Sequence, residues 1–443
     1  MTRLVGAAKR EITPKVSMTM GGYGLRTEKS TGVHDPLYAR ALYISDGSQT
    51  ALLVICDLVA VGDDLVAIVR KAISTELRIA ADRIMIAATH THAGPAAVRN
   101  LLDPDYTKLL ADSAVAAARE AATSARPATL ASKWIDVDGV SQNRRDPEYP
   151  VKEGLDLLVA IDAKCEVIAS LIFYACHPTI MEFDNLEYSA DFPGAAIQLV
   201  EENLGGQAIY LQGACGDINP TWSAHDWENV ELNGKIVGSA ALAAAYRALT
   251  LGVNRFAVNL SWAIDTLQAP VAGSVVRDFE IAMASEFITL VRQRPEDVEE
   301  ERDEIAELDA KIKSADLELR ERLQPRLTFL KAKRYGWTNP SPLYLPGSDN
   351  LEIQAIQLSD EVVILGLPGE YLIDVATEIE KRSPFQQTLI VCYANGYFDY
   401  FPLAKDFKEH GYEVGRSIYG EGSTEQVIET ALGLLQRLHK RGG

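Results

Sequence analysis

The sequence predicts an α/β fold: a large mixed β-sheet core flanked by helices, with an inserted charged helical segment. Three observations carry that expectation. From Met1 to about Thr250, short β-branched runs alternate with alanine-rich stretches of helical period. The same alternation returns after Asn350. Between the two lies the run EDVEEERDEIAELDAKIKSADLELRERL, far more charged than anything around it.

Taken in order, Met1–Pro14 reads as strand and turn. Ala51–Cys56 and Ile84–Ala88 are strand candidates, with Asp64–Leu77 helical between them and Tyr106–Ser124 helical after. Val167–Cys176 and Ala208–Gln212 are apolar strands, Gly234–Ala248 a helix, and Asn259–Ile264 a further strand. From about Asp278 to Tyr335 the pattern turns helical, with Ile305, Leu308, Ile312 and Leu319 as a narrow apolar stripe. That stretch reads as a solvated helix or helical hairpin, an inserted subdomain or lid; its heptads are too few for an extended coiled coil. Thr338–Asn350, rich in Pro, Gly and Ser, reads as a loop. Strands at Val362–Leu367 and Thr388–Tyr393 and a helix at Thr424–Leu438 complete the pattern. No internal repeat interrupts it.

At 443 residues and 47% hydrophobic content the chain can bury a large core, as one large domain or two ordinary ones. Lys and Arg number 43 against 62 Asp and Glu, a formal charge of −19 that repels phosphate backbones and anionic membranes. Nucleic acid is thereby excluded as a partner, and no stable membrane association is expected; a small-molecule substrate is, and a homo-oligomer is compatible. Five cysteines are scattered singly, four of them in or beside apolar runs, which points to buried thiols and a reducing compartment. The N-terminus has no apolar signal run, and no stretch approaches the roughly 18 apolar residues of a membrane span. A cytoplasmic location is expected.

Five strands each run directly into a polar segment of unusual composition. Ile84–Ala88 leads into Thr89-His90-Thr91-His92-Ala93-Gly94-Pro95, and Val167–Cys176 ends at His177-Pro178-Thr179. Ala208–Gln212 enters Gly213-Ala214-Cys215-Gly216-Asp217-Ile218-Asn219-Pro220. Val362–Leu367 stops at Pro368-Gly369-Glu370, and Thr388–Tyr393 meets Asn395-Gly396-Tyr397-Phe398-Asp399-Tyr400. Ligands of open α/β sheets bind beyond the carboxyl ends of strands, so these segments can converge on one cleft. On an extended segment His90 and His92 would share a face and address one ligand. Imidazole is the commonest protein ligand for zinc; two well-packed imidazoles satisfied by hydrogen bonds are the equal alternative for the pair alone. His177 stands at a strand end among only seven histidines in the chain. Glu370 follows a Pro-Gly turn that can aim its carboxylate, although taken alone it reads rather as a solvated turn glutamate; Arg144 can polarise a carbonyl or hold an anion, with an ordinary loop cation as the alternative.

Together these segments resemble the catalytic N-terminal domain of the neutral/alkaline (non-lysosomal) ceramidase family. The resemblance runs in order through Gly6–Pro14, Gly21-Gly22-Tyr23-Gly24, Asp35–Arg40, Thr89–Pro95, Asn143-Arg144, His177-Pro178-Thr179 with Ser189-Ala190-Asp191, Pro368-Gly369-Glu370, and Tyr400 through Tyr412-Glu413. It implies a single catalytic domain over 1–443 with the 278–335 insert within it. It implies a Zn2+ cofactor held by His90, His177, Glu370 and Tyr400, with Tyr397 a competitor for the last place. It implies His92, Arg144 and Tyr412 at the scissile amide, which water attacks with the aid of zinc. Asn219 stands where the family has a serine; an amide cannot form an acyl-enzyme, so Asn219 enters as a possible extra donor to the oxyanion. The chain is expected to be a short form without the family's C-terminal immunoglobulin-like domain and secretion signal. Two other readings remain: the same zinc site acting on an ester, lactone, cyclic amide or sugar linkage, and a non-catalytic metal- or ligand-binding homologue. A metal-dependent amidohydrolase barrel also opens with His-X-His, but on its first strand and with later histidine and aspartate ligands, a pattern absent here.

Overall fold

Successive side chains of a strand point to opposite faces, and in the central strands of this protein both faces are buried. The computed structural model describes residues 2–98, 103–146, 154–221, 224–253, 275–276, 279–293, 300–315, 347–408 and 411–442, together with residues 319, 320, 323 and 327. In it the strand Thr50–Cys56 sends Leu52, Val54 and Cys56 into one apolar core and Ala51, Leu53 and Ile55 into another. Val362–Gly366 divides likewise, Val363 and Leu365 against Val362 and Ile364. Strands covered on both sides are apolar throughout, which is why these segments stand out in the sequence.

The second of those cores lies between two sheets. The larger is nine-stranded and runs Gln207–Gln212, Val167–Tyr174, Gly154–Asp162, Arg126–Asp136, Leu4–Glu11, Tyr38–Ser45, Thr50–Cys56, Ile84–Ala88, with Val275–Val276 paired to Arg126–Asp136. The smaller is four-stranded: Ala282–Val291, Ser348–Gln357, Val362–Gly366, Gln387–Val391. Leu53, Met85, Phe173 and Leu211 of the one meet Ile356, Ile364 and Leu389 of the other. Helices cover the outer faces. Pro104–Thr123 and Trp227–Val253 pack on the larger sheet, and Ser423–Gly442 packs on the smaller. The layers are therefore helix, sheet, sheet, helix. Pro104–Thr123 starts where Asp103 caps it by accepting Tyr106 N–H at 2.9 Å, with Pro at the first helical position. It lies so close to Leu4–Glu11 that a Cβ on Gly6 would stand 2.0 Å from the Ala121 carbonyl oxygen.

Within these two sheets three described pairs of strands are parallel: Thr50–Cys56 with Ile84–Ala88, Val167–Tyr174 with Gln207–Gln212, and Val362–Gly366 with Gln387–Val391. Their carboxyl ends meet. Cys392 N–H donates to the Gln212 carbonyl at 2.8 Å, and the fully buried Gln212 side chain donates to the Cys176 carbonyl at 2.8 Å and accepts from Cys176 N–H at 3.2 Å.

The large mixed sheet flanked by helices is as expected, and Ala282–Val291 with the three later strands Ser348–Gln357, Val362–Gly366 and Gln387–Val391 forms a second sheet beside it. Several expectations change. Ala282–Val291, expected to be helical, is a strand paired over its whole length with Ser348–Gln357. Its Phe-Ile-Thr-Leu-Val segment carries the strand preference, and the acidic helical run begins only afterwards, at Glu300–Ser314. That helix packs Leu308 on Leu327 with Ile305 and Ile312 beside them. The expected loop at Thr338–Asn350 already belongs to a strand from Ser348. Asn259–Ile264, residues 328–335 and 338–346 lie outside the described residues. Asp191–Leu204 is a helix that the sequence reading missed, because its opening Asp-Phe-Pro-Gly reads as a turn. Among the described residues no helix is long and apolar enough to cross a membrane. All five cysteines are free, and only Cys165 is exposed.

Candidate metal centre

Thr89 extends the pairing of Ile84–Ala88 by one bond, donating its N–H to the Cys56 carbonyl at 2.9 Å, and the chain then turns at His90, whose φ is 66°. The segment is thus not extended, as the spacing argument assumed. It is the turn that brings the two imidazoles together, their Nε2 atoms 3.1 Å apart. Thr91 locks the turn, donating its hydroxyl to the Ser189 carbonyl at 2.7 Å and accepting from Ala93 N–H at 3.1 Å. Gly22, with φ of 101°, lies against the His92 ring, where a Cβ would approach to 2.6 Å.

His90 Nδ1 lies 2.6 Å from the Val59 carbonyl, and His177 Nδ1 lies 3.2 Å from the Ile218 carbonyl. A carbonyl only accepts, so both rings carry their proton on Nδ1 and turn an Nε2 lone pair inward. Glu370 arrives on the strand Glu370–Tyr371, parallel to Tyr400–Phe401 and in register with Tyr400. Gly369, at φ 120°, makes the turn, and a Cβ there would meet the Phe401 ring at 2.5 Å. Glu370 Oε2 stands 3.8 Å from His90 Nε2 and 3.5 Å from His177 Nε2. Oε1 accepts the Tyr397 hydroxyl. His177 Nε2 and Glu370 Oε2 are buried without hydrogen-bond partners, an arrangement native proteins avoid unless something else satisfies such atoms. His90, His92 and His177 present ligand nitrogens within 4.8 Å of one another. Lone-pair imidazoles beside a buried carboxylate suit a first-row divalent cation.

The charges agree. Burial lowers His90 to about 4 and holds His92 well below the usual imidazole range, so both are neutral near pH 7. Burial raises Glu370, but His90 and His177 outweigh it and keep the carboxyl ionised. Tyr397 and Tyr400 are pushed upward by burial and then by Glu370, and stay protonated near pH 7.

A second group adjoins the first. Ser141–Asn143 pairs with Ile218–Pro220, which sets Arg144 beside Asn219. Asp217 ties the pair down: its carboxylate accepts Asn143 Nδ2 at 2.7 Å and Ile373 N–H at 2.8 Å, and its carbonyl accepts Arg144 N–H at 2.8 Å. Arg144 donates to Glu413 Oε1 at 2.8 Å, Tyr400 at 3.2 Å and Asn219 Oδ1 at 3.3 Å. Its guanidinium lies over the rings of Tyr400 and Tyr412. Burial disfavours that charge, and Tyr400, Glu413 and Tyr412 more than offset it. All eight candidate residues thus gather at one place: His90, His92, His177 and Glu370 as an inner cluster, and Arg144, Tyr412 and Asn219 beside it, with Tyr400 touching both. Tyr397 contacts Glu370 too, so two phenols flank the carboxylate.

Three supporting residues went unnoticed in the sequence. Gln212 is the bolt between strand ends described above. Arg26 is buried and donates to four carbonyls, of Gly21, His92, Glu182 and Phe183, so it fixes the backbone of His92. Asn395, at φ 60°, exchanges two hydrogen bonds with the backbone of Ile86 and donates to Gln354 at 2.8 Å, joining the two sheets below His90. An Asn-Gly pair favours a turn, but nothing local shows what that turn binds.

The family model for neutral/alkaline non-lysosomal ceramidase, N-terminal, matches residues 4–238, a span holding His90, His92, Arg144, His177 and Asn219. The chain belongs to that ceramidase family. Among curated ceramidases, the neutral ceramidase of Pseudomonas aeruginosa is 22% identical over 98% of this chain and 72% of its own length. The neutral ceramidase of Mycobacterium tuberculosis is 26% identical over 47% of this chain, which spans only 37% of that relative's length. A solved ceramidase complexed with C2 superposes with a TM-score of 0.74 at 16% identity, over 99% of this chain and 76% of that one. The crystal structure of the Pseudomonas aeruginosa neutral ceramidase gives 0.72 at 19% identity, over 99% and 75%. At that identity the likeness establishes the fold, and it extends beyond the matched N-terminal span to the segments carrying Glu370, Tyr400 and Tyr412.

Proposed function

We propose that this protein is a zinc-dependent hydrolase that cleaves the N-acyl amide bond of a small molecule. The observation that carries the proposal is the buried meeting of His90 Nε2, His177 Nε2 and Glu370 Oε2, where the last two have no hydrogen-bond partner. We take residues 1–443 as one catalytic unit, because Glu370, Tyr400 and Tyr412 close on the same place as the histidines of the N-terminal span.

His90, His177, Glu370 and Tyr400 would hold the ion; the Tyr397 hydroxyl, which donates to Glu370, is the alternative fourth ligand. Bound there, zinc supplies Lewis-acid polarisation of a carbonyl and acidifies an attacking water. His92 is neutral and partly exposed, so its imidazole can take the proton from that water and return it to the leaving nitrogen. Arg144 and Tyr412 donate to the oxygen that gains negative charge. Asn219, held by Arg144, adds an amide donor in place of a nucleophile, which favours direct attack by water over an acyl-enzyme. The amide bond is proposed from the ceramidase relatives. An ester or lactone remains the second reading, because a water activated in this way does not select its electrophile.

The test is metal analysis of the purified protein, followed by a panel of N-acyl amides, esters and lactones with and without chelator. Stoichiometric zinc and chelator-sensitive amide cleavage are expected. Protein without bound metal that still turns over any of these substrates would refute the reading.

A further inference from the structure

Glu413 is 1% exposed and follows Tyr412 directly, at the start of the short helix Tyr412–Arg416. Its Oε1 accepts Arg144 Nε at 2.8 Å, and its Oε2 lies 3.7 Å from Arg145 Nε. Arg145 is anchored in turn by Asp406 at 2.7 Å. The other two contacts of Arg144, to Asn219 and Tyr400, are to neutral oxygens at 3.3 and 3.2 Å, the long end of the hydrogen-bond range. The fork of an arginine is rigid and its stem is not: a carboxylate fixed at Nε decides where the two terminal amino groups point. Here they point at Asn219 and Tyr400. Space for the carboxylate comes from Gly411, where a Cβ would stand 3.1 Å from Glu413 Oε2.

We infer that Glu413 is a positioning residue: its buried carboxylate aims Arg144 at the reacting carbonyl and couples that arginine to Tyr412, its neighbour in the chain. The catalytic consequence rests on the amide-hydrolase reading; the geometry does not. One carboxylate then governs both groups proposed to stabilise the developing oxyanion.

The test is a double-mutant cycle with Glu413→Gln, Arg144→Ala and the pair, measured as kcat and KM on the amide the wild type cleaves best, with zinc content alongside. Glu413→Gln is expected to lower kcat/KM about 10- to 100-fold, the range for loss of an orienting partner, with zinc retained. The double variant is expected to lose no more than Arg144→Ala alone, because Glu413 acts through Arg144. Fully additive losses would overturn the inference, and a merely structural role would give them. If Glu413→Gln does not fold, Glu413→Asp, which keeps the charge and shortens the reach, takes its place in the same cycle with the same two outcomes. If the wild type cleaves no amide, the hydrolase reading fails by itself and a crystal structure of Glu413→Gln decides the positioning claim. Arg144 displaced from Asn219 and Tyr400 supports it; Arg144 unmoved overturns it.

Discussion

Two histidines of one short motif occupy different situations. His90 and His177 are each 1% exposed, with Nδ1 spent on a carbonyl and Nε2 turned inward, whereas His92 is partly exposed and its Nδ1 has no partner. On the proposed zinc-hydrolase reading, His177→Ala should weaken metal binding by at least about 100-fold, since even the loss of a group that only orients a ligand reaches that size, while His92→Ala should keep its metal and lose turnover. Metal content of the two variants by mass spectrometry checks this, and zinc-free His92→Ala would make His92 a ligand. A different residue-scale effect concerns Asp191, which burial raises from 3.8 to about 7. Its folded pKa lies above its unfolded one, so the native state holds a proton the unfolded chain has released between those values. The stability linked to this group is complete below about pH 4 and is lost as pH rises towards 7. Asp191→Asn does not titrate. Between pH 5 and pH 8 the wild type should lose roughly 2–3 kcal/mol relative to that variant, at about 1.4 kcal/mol per pKa unit, as denaturant melts at both pH values would show.

Elements converge on the site by strained connections rather than by regular structure. The segment from Tyr393 to Asp399 contains three non-glycine residues in the left-handed region, Tyr393, Asn395 and Asp399, at φ 56°, 60° and 62°. Such conformations persist where surrounding contacts impose them. Asn395 is bonded to Ile86 and Gln354, Asp399 accepts Arg416 at 2.9 Å, and Tyr393 stacks on His90 with centroids 3.9 Å apart. Asn395→Ala should therefore cost roughly 2–4 kcal/mol, from the lost bonds and left-handed strain together. Asn395→Gly, which forfeits the bonds but not the backbone freedom, should be about 1 kcal/mol milder. Equal losses in chemical denaturation would mean that strain is not stored there. Strands were the elements most readable from sequence: Ile84–Ala88 has the predicted bounds, because a strand covered on both faces is an unbroken apolar run. The Ala282–Val291 strand was not, since its partly exposed face breaks that run and the acidic helix behind it dominates any window.

At the scale of the whole molecule the site lies where both sheets end, so a bound ion would bridge segments from 89–92 to 370 and couple metal binding to global stability. A ligand that binds only the native state stabilises it by about 2.7 kcal/mol at one hundred times its dissociation constant. Chelation should lower the melting temperature by a few degrees in the wild type and leave His177→Ala unmoved, which calorimetry with and without chelator can check. The sequence by itself determined the α/β class, the apolar strands, a charged helix somewhere within 278–335, and the chemical identity of the residues at strand ends, because periodicity and residue type are local properties. Within His90-Thr91-His92 it offered a metal pair or two packed imidazoles, with nothing local to choose between them. Only the tertiary structure gathers His90, His92 and His177 into a group that could hold a metal ion, through the left-handed turn at His90, the carbonyls of Val59 and Ile218 that accept from Nδ1, and the arrival of Glu370 from a strand some 280 residues later. It also set a second sheet against the large one and gave Gln212, Asn395 and Arg26 their places. The reason is the same in each case: which buried atoms lack a partner depends on residues distant in the chain, and no window of sequence contains them.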